Sequence, residues 1–388
     1  MYKNAKRELI NITNLLAFFK QTGFFLVFLH RRIIFIKRRM LAEEITNLID
    51  KKGYLLADGA TGTNLFDMGL ESGYPPELWN QEKPDLVSNN HKKFIEAGSD
   101  IILTNSFGAN KYRLALHNSE GKVRDINFEA AQIARRIADS SKKKVLVAGS
   151  IGPTGEILHP IGSLSIEDAI LAFTDQAMAL KEGGSDLLWI ETMSSSEEMD
   201  AAISAAVKTG LPTICSYSFD THGKSMMGLE PRELAILSDK YCDVVIGYGA
   251  NCGIGAAELI GSIMCFSQSS MENDQFIVAK GNCGIPQFRG TEIVYDGTPE
   301  MMAQYAIYAS SLGAKIIGGC CGTTHLHVKA MRDALENHTE TVNFDLDKVI
   351  ESLGKMTDGN IQMIKNYLDP NIPEKKVERK RRRRRSRS

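Results

Sequence analysis

The segment Ala314-Lys-Ile-Ile-Gly-Gly-Cys320, followed by Cys321-Gly322, is the most informative stretch for the fold class. It is a short apolar, β-branched run that ends in small residues, which is typical of a buried strand in a parallel sheet. Successive runs of this kind begin 26 to 46 residues apart, which leaves room for a crossover helix each time. The seven preceding runs are Tyr54–Gly59, Asp100–Phe107, Lys144–Gly149, Asp186–Thr192, Pro212–Phe219, Asp243–Asn251 and Phe276–Gly281.

Helix signals stand between these runs. Ser165 and Ser194 each come three residues before an acidic residue, and this pattern predicts two helix N-termini. Thr298 precedes a proline at a first helical position, and glycines at 98, 183 and 313 are expected to end helices. Eight β-then-α units predict an α/β fold, a (β/α)8 TIM barrel over residues 40–337. A doubly wound open sheet is the alternative, but the count of eight strands favours closure.

Charge is distributed unevenly along the 388 residues, whose formal net charge is −1. Residues 1–39 and 375–388 are strongly basic, so residues 40–374 carry a net charge of −18. An acidic body is a poor surface for nucleic acid and suits a cationic small molecule. We therefore expect small-molecule substrates and no requirement for nucleic acid. Seven cysteines without framework spacing indicate thiols or metal ligands in a reducing compartment, which predicts a cytoplasmic protein.

The two ends of the chain differ in composition from the rest. The apolar run at residues 23–29 is too short to span a bilayer, and no small-residue cleavage site follows it, so we expect no membrane partner. Residues 1–39 are a membrane-surface or targeting segment, a dispensable extension, or sequence upstream of a true start at Met40. We favour the last, because residues 41–45 open like an amphipathic helix. Residues 338–374 are expected to form a C-terminal helical extension.

The tail at residues 375–388 contains ten Lys and Arg residues. Because like charges repel one another, we expect a disordered tail that aids solubility, with an RNA or anionic-surface tether as the alternative. His325 and His327 are expected to be surface or helix-capping residues. A homo-oligomer is compatible with the sequence.

Cysteines at the predicted strand ends carry the strongest functional signal. In a barrel these ends face the active site, and they include Cys252 and the adjacent pair Cys320 and Cys321. A vicinal disulfide and two buried structural thiols are alternatives, but the third thiol at the end of strand six favours metal ligation. Three soft thiolates select Zn²⁺ and leave a fourth tetrahedral position open, as in catalytic sites. The sequence therefore predicts a catalytic zinc at the C-terminal ends of the strands.

A three-thiolate zinc complex has a net charge of −1. Such a site activates water poorly but binds a substrate thiol as an electron-rich thiolate, which points to alkyl transfer onto sulfur. The remaining cysteines are interpreted as packing residues: Cys215, Cys242 and Cys265 as small core residues, and Cys283 as a packed thiol beside the site.

The sequence resembles the homocysteine S-methyltransferase family, a zinc-dependent barrel. The segments at residues 75–80 and 280–286 and the arginine-rich end resemble bacterial proteins called betaine–homocysteine methyltransferases. The resemblance implies that Cys252, Cys320 and Cys321 are catalytic zinc ligands and that the product is methionine. The segments that carry it, in family order, are Asp58-Gly-Ala-Thr-Gly-Thr63, Leu103-Thr-Asn-Ser-Phe107, Ala148-Gly-Ser-Ile-Gly-Pro153, Trp189-Ile-Glu-Thr192, Gly249-Ala-Asn-Cys-Gly253 and Gly318-Gly-Cys-Cys-Gly322.

The same resemblance implies contacts to homocysteine. Asp58 and Glu191 would hold its amino group, and the backbone around Gly149 and Ser150 would hold its carboxylate. Other interpretations of the two acids are a turn-forming aspartate before glycine and a salt bridge at the barrel rim.

The methyl donor is less well determined by the sequence. An onium cation is held by aromatic faces, and Trp79, Phe107 and Tyr295 lie in loops where they could form a cage. Ordinary loop packing is the alternative for each ring. The animal betaine enzymes have tyrosines where this chain has Gly108 and Thr192, so donor contacts cannot be transferred from them.

Glycine betaine is the donor that we expect. The alternatives are dimethylsulfoniopropionate, S-methylmethionine, or a separate cobalamin protein that delivers the methyl group. An RNA-tethered binding protein with an inactive barrel is the alternative from another class, but the acidic body and the three cysteines weigh against it.

Overall fold

The computed structural model describes residues 23–269, 274–289, 292–338 and 342–369. Eight parallel strands follow one another around a barrel, and a hairpin of two further strands, β8 and β9, is inserted between the seventh and the last. The strands are β1 Leu55–Leu56, β2 Ile101–Leu103, β3 Leu146–Ile151, β4 Leu187–Met193, β5 Thr213–Tyr217, β6 Val245–Cys252, β7 Phe276–Gly281, β8 Pro286–Arg289, β9 Glu292–Tyr295 and β10 Ala314–Gly319.

The barrel closes between its first two strands. β1 pairs with β10, the chain of neighbours runs from β10 through β7 to β2, and a parallel bridge between Ala57 and Ile101 joins β1 to β2. The predicted (β/α)8 barrel is therefore confirmed, and the open doubly wound sheet is not formed.

Helices pack around the barrel strands, and the first of them precedes β1 in the chain. They are α1 Gly23–Lys52, α2 Gly62–Asp67, α3 Trp79–Glu82, α4 Pro84–Glu96, α5 Lys111–Ala115, α6 Val123–Asp139, α7 Ile166–Glu182, α8 Ser196–Thr209, α9 Pro231–Lys240, α10 Ala256–Ser267, α11 Pro299–Ser311, α12 His325–Asn337, α13 Leu346–Leu353 and α14 Asp358–Leu368. Among the helices that the structure describes, none is long and apolar enough to cross a membrane.

Successive strand residues divide between two hydrophobic layers. Leu55, Leu103 and Trp189 belong to the cluster inside the barrel, whereas the neighbouring Leu56 and Leu188 pack outward against the helices. This alternation follows from the two-residue period of a strand. Because the interior is filled by side chains, a ligand has to bind at the strand ends.

The first helix covers the N-terminal end of the barrel. Ile45 and Ile49 of α1 belong to the interior cluster. The helix does not begin at Met40, as its amphipathic start suggested, but runs through it. Upstream of Met40, Ile36 is buried and the Arg38 guanidinium donates to the carbonyl of Val207 at 2.7 Å. Residues before Met40 therefore take part in packing. Residues 1–22 and the basic tail at 375–388 lie outside the described residues.

Local capping follows the sequence at two of three predicted positions. The side chains of Ser165 and Thr298 accept hydrogen bonds at the starts of α7 and α11, as predicted. The prediction for Ser194 is wrong by one residue, because Ser195 is the N-cap of α8 and accepts from the backbone N–H of Glu198. A separate prediction is confirmed at α12, where His327 completes the N-terminal capping box.

The structural cysteines divide according to their position. Cys215 and Cys265 are buried in the core as predicted. The prediction for Cys242 is wrong, because this residue is exposed in the turn between α9 and β6. Cys283 is buried, and its thiol donates to the carbonyl of Gly297 at 3.1 Å, which agrees with a packing role.

Candidate active site

The three predicted ligand cysteines meet at the C-terminal end of the barrel. Among the described residues, Cys252, Cys320 and Cys321 form one group of possible metal ligands, with all three sulfurs within 4.8 Å of one another. The sulfurs of Cys252 and Cys321 are 4.0 Å apart. Thiolates bound tetrahedrally to one zinc at about 2.3 Å lie roughly 3.8 Å apart, so the donor set fits Zn²⁺.

Backbone geometry presents Cys252 to this cluster. The residue has a φ of +60°, a left-handed conformation that is unfavourable for a side chain with a Cβ. Three positions earlier, a Cβ on Gly249 would lie 1.8 Å from the carbonyl oxygen of Val278, so only glycine fits there. Strain of this kind collects at functional sites. The Gly-Ala-Asn-Cys-Gly pattern is thus explained by close strand approach and a strained ligand.

An asparagine at a predicted strand end, to which the sequence assigns no role, joins the two cysteine-bearing segments. Asn282 accepts from the backbone N–H of Cys321 at 3.0 Å and donates to the carbonyl of Gly253 at 2.7 Å. Outer partners of this kind fix the orientation of metal ligands. Its position directly after the seventh strand was the available signal.

A second asparagine holds the segment next to Glu191. Asn251 accepts from the backbone N–H of Thr192 at 2.8 Å and from the Ser216 hydroxyl at 2.7 Å, and it donates to the Thr192 hydroxyl at 2.6 Å. Thr192 has a φ of +62°, so these bonds stabilise an otherwise unfavourable backbone conformation. Asn251 thereby fixes the strand end that carries Glu191.

The two predicted substrate-binding acids lie in the same barrel mouth. Asp58 is 1% exposed and accepts from the backbone N–H of Leu103 at 2.8 Å through Oδ2. Glu191 is 6% exposed and accepts from the Ser150 hydroxyl at 2.5 Å. Within the described part of the chain, Asp58 Oδ1 has no hydrogen-bond partner. A buried unsatisfied acceptor is costly, which suggests that a ligand completes it.

Burial dominates the protonation of both acids. It raises the pKa of Asp58 to about 7, although the Lys280 ammonium and the Leu103 N–H lower it. Burial also raises the pKa of Glu191, against the opposing charge of Lys280. Lys280, at the end of β7, lies with its Nζ 3.8 Å from Asp58 Oδ1. Sequence reasoning missed it, although a lysine inside a buried apolar strand was a visible signal.

The thiols share protons unequally. Hydrogen bonds from Cys252 and Cys320, together with Tyr295 and the charge of Lys280, lower the pKa of Cys321 well below its ordinary value. The same sharing raises the pKa of Cys252. Cys321 is therefore the thiol that ionises first and is ready to act as a metal ligand.

The backbone at Gly149 and Ser150 is engaged inside the protein. The Ser150 N–H donates to the Thr104 hydroxyl at 2.9 Å, and the Ser150 carbonyl accepts from Ser106 at 2.8 Å. Gly149 faces the helical layer, where a Cβ would lie 3.0 Å from a carbon of Leu188. The Ser150 N–H is thus already engaged, and the Ser150 hydroxyl orients Glu191.

The candidate donor rings have different surroundings. Tyr295, on β9, is partly exposed and its hydroxyl bonds to Cys321, so the structure brings it to the thiol cluster. Phe107 is also partly exposed and its ring lies against Gly152. Trp79 is 2% exposed within an apolar cluster, and Lys83 covers its ring at 4.3 Å. The structure thus gives Trp79 a packing position.

The glycine that follows Phe107 has a structural reason. Glu77 accepts from the backbone N–H of Gly108 at 2.6 Å, and a Cβ on Gly108 would lie 2.9 Å from the same carboxylate oxygen. A side chain at position 108 would therefore displace the Glu77 carboxylate from this backbone N–H.

Comparisons with known proteins agree with this geometry. The chain is 29% identical over 313 residues to a methionine synthase of Mycobacterium tuberculosis and 29% identical over 300 residues to one of Mycobacterium leprae. These matches cover 75% and 72% of this chain. They span only 26% and 24% of the relatives' own length, about a quarter of each.

Solved structures show the same fold. The oxidized and metallated forms of the homocysteine methyltransferase MmuM from Escherichia coli match with TM-scores of 0.62 and 0.61, each at 24% identity. Both matches cover 74% of this chain, and they cover 97% and 98% of the MmuM chains. Residues 55–335, more than half of the chain, match the family model described as homocysteine S-methyltransferase. The chain belongs to the homocysteine S-methyltransferase family.

Proposed function

We propose that this protein is a zinc-dependent enzyme that transfers a methyl group from a small onium donor, glycine betaine, to L-homocysteine and forms L-methionine. The observation that carries the proposal is the convergence of three thiols beside two buried acids at one end of the barrel. A metallated form of the Escherichia coli homocysteine methyltransferase is among the structural matches, which supports a metal here. The free thiols fit a reducing compartment, and we place the enzyme in the cytoplasm.

Cys252, Cys320 and Cys321 would hold the zinc, which when bound supplies a Lewis acid that lowers the pKa of the substrate thiol. The unsatisfied Oδ1 of Asp58 and the carboxylate of Glu191 receive the amino group of homocysteine. These contacts fix the amino acid so that its sulfur points toward the cysteines, a gain in orientation that lowers the barrier. Asn282 and Asn251 keep the supporting strand ends in place.

The transfer itself is a substitution at the methyl carbon. A new bond forms between the homocysteine sulfur and the methyl carbon, while the carbon–nitrogen bond of betaine breaks and its electron pair stays on nitrogen. The products are methionine and dimethylglycine, and the thiol proton passes to solvent. The ring faces of Tyr295 and Phe107 hold the cationic methyl donor, because a quaternary ammonium offers no hydrogen bond.

A donor panel tests the proposal. Purified protein is loaded with zinc and supplied with homocysteine and one donor at a time: betaine, dimethylsulfoniopropionate, S-methylmethionine or a methyl-cobalamin protein. We expect methionine with betaine. Methionine with another donor alone would overturn the choice of betaine, and methionine with none of them would overturn the activity.

Matched cysteine variants complete this experiment. Cys321→Ala removes one proposed ligand, so zinc content and methionine formation are expected to be lost. Cys283→Ala removes a neighbouring buried thiol that donates to the carbonyl of Gly297 and is not one of the three proposed ligands. About one zinc per chain is therefore expected to remain. Full zinc in Cys321→Ala would contradict the three-thiolate assignment.

A further inference from the structure

Lys280 is a buried charge that the proposed reaction does not yet use. It stands near the end of β7, and its side chain is 3% exposed at the barrel mouth. Its ammonium is 3.8 Å from Asp58 Oδ1 and 3.4 Å from the carbonyl oxygen of Gly59. An isolated ammonium of this kind is expensive to bury unless it is compensated by opposite charge.

The surroundings of Lys280 are strongly negative. The groups whose charges act on it are Cys320, Asp58, Glu191 and Cys321, in that order. The same ammonium is the cation that acts on Asp58, Glu191 and Cys321. Two carboxylates and a thiolate cluster thus share one desolvated site with one lysine.

The contacts of the ammonium are long. Hydrogen bonds from nitrogen to oxygen are about 2.7–3.2 Å long, so a 3.8 Å separation gives charge attraction without a full hydrogen bond. Asp58 Oδ1 consequently stays free to accept from another donor, as the described residues show. Lys280 therefore compensates the charge of the two acids and leaves their hydrogen-bonding capacity for a ligand.

We propose that Lys280 is a positioning and specificity residue: its positive charge favours the carboxylate forms of Asp58 and Glu191, and these two acids select thiols that carry an amino group. The inference rests on the proposed function, because it takes homocysteine as the substrate. Without Lys280, the two acids would have no buried counter-charge beside the thiolates and would take up protons. A neutral acid attracts the substrate ammonium far less, so the preference for an amino acid would fall.

The test compares two thiols that differ only in the amino group. Homocysteine and 4-mercaptobutanoate are titrated calorimetrically into zinc-loaded wild type, Lys280→Met, and the control Lys92→Met, which changes an exposed lysine. Wild type and the control are expected to prefer homocysteine. Lys280→Met is expected to weaken the binding of homocysteine by about tenfold or more and to change the binding of 4-mercaptobutanoate little. The ratio of the two affinities is the readout.

Three results would overturn the proposal. If the binding of both thiols is weakened equally, Lys280 acts on the sulfur or the carboxylate that they share. If neither affinity changes, Lys280 is a packing residue. Selective weakening of 4-mercaptobutanoate would show that Lys280 pairs with the substrate carboxylate. If zinc-loaded wild type binds no homocysteine, the proposed function itself fails, which is a separate outcome.

A stability measurement on metal-free protein covers the case in which Lys280→Met folds poorly. Breaking a buried pair by removing one partner costs more than removing both partners. The double variant Lys280→Met with Asp58→Asn is therefore expected to unfold at a higher temperature than Lys280→Met alone. A double variant that is no more stable than the single variant would contradict the charge coupling between these two residues.

Discussion

The two ends of the barrel each bury an aspartate, but they treat it in opposite ways. At the N-terminal end, Asp100 accepts from the Lys52 ammonium at 2.5 Å, from the backbone N–H of Leu56 at 3.0 Å, and from the Arg332 guanidinium. At the C-terminal end, Asp58 has one backbone partner, one long contact to Lys280 and one oxygen without a partner. The first aspartate is satisfied within the fold and the second is not.

The pKa values differ accordingly. Burial alone would raise the pKa of Asp100, but Arg332, the Leu56 N–H and Lys52 together bring it below the ordinary value. Burial raises the pKa of Asp58 to about 7, because it outweighs the charge of Lys280 and the hydrogen bond from the Leu103 N–H. The N-terminal end is thus arranged for stability, whereas the C-terminal end leaves binding capacity open. Natural proteins break local rules in this way at functional sites.

The largest expected effect comes from exchanging the two aspartates for asparagine. Asp100→Asn leaves Arg332 and Lys52 without their buried partner, so the free energy of unfolding is expected to fall by about 3–5 kcal/mol. Asp58→Asn is expected to cost less stability than Asp100→Asn, because Glu191 and the cysteines still act on the Lys280 charge, and to lose most homocysteine affinity. Urea unfolding and calorimetric binding measure the two quantities. A severe stability loss in Asp58→Asn would break the contrast between the two ends.

In metal-free protein, Asp58 and Asp100 are expected to make the free energy of unfolding depend on pH with opposite signs. Asp58 has a raised pKa in the folded state, so it binds more protons there than in the unfolded chain between about pH 4 and 7. Its contribution to stability therefore falls as the pH rises through this window. Asp100 has a lowered pKa, so its contribution is lost only as the pH falls below about 4. Asp58→Asn should reduce the first slope, to which Glu191 also contributes because its pKa is raised, and should leave the second unchanged.

The donor rings give the next largest effect. Tyr295→Ala and Phe107→Ala are expected to raise the KM for betaine by up to about thirtyfold, since a desolvated cation–π contact is worth roughly 2 kcal/mol. Trp79→Phe is expected to leave this KM within about twofold and to lower stability instead, because Trp79 fills an apolar cluster. A large KM effect for Trp79→Phe, with normal stability, would restore it to the donor site.

His91 offers a smaller effect that sharpens the comparison. It is buried on α4, and neither ring nitrogen has a partner among the described residues. Burial lowers the pKa of His91 to about 4, so between about pH 4 and 6.5 the imidazole is protonated in the unfolded chain and neutral in the folded chain. Its contribution to stability is therefore lost as the pH falls below about 6.5.

The variant His91→Leu removes that proton uptake. We expect it to gain about 2 kcal/mol at pH 5 relative to its effect at pH 8, by urea unfolding at both values. Its KM for homocysteine should equal that of wild type. A changed KM would show that an unsatisfied group outside the barrel mouth also serves the site.

The barrel and its thiol cluster were predictable for a physical reason. Short apolar, β-branched runs and adjacent cysteines between glycines are local patterns, and their meeting follows from the closure of a parallel barrel. Asp58 and Glu191 end predicted strands, but their proposed role in binding homocysteine comes from the family resemblance. The N-cap predicted at Ser194 is wrong by one residue, because three consecutive serines precede two glutamates, and Ser194 and Ser195 each stand three residues before an acid.

The remaining site residues depend on contacts between distant segments. Lys280 gains its role from Asp58, more than two hundred positions away, and Asn282 gains its role from Cys321 and Gly253. The sequence predicts a loop where the hairpin carries Tyr295, because strands of only four residues give a weak pattern. The packing of Trp79 is not visible in the sequence, because the apolar cluster that buries it joins residues from separate segments.

The central claim is that three thiolates hold a zinc that binds the substrate sulfur. X-ray absorption at the zinc edge, before and after addition of homocysteine, measures this directly. We predict three sulfur ligands in the resting enzyme, at about 2.3 Å, and a fourth when homocysteine is added. A sulfur shell that does not change on addition of homocysteine, or a resting site with fewer than three sulfurs, would contradict the account.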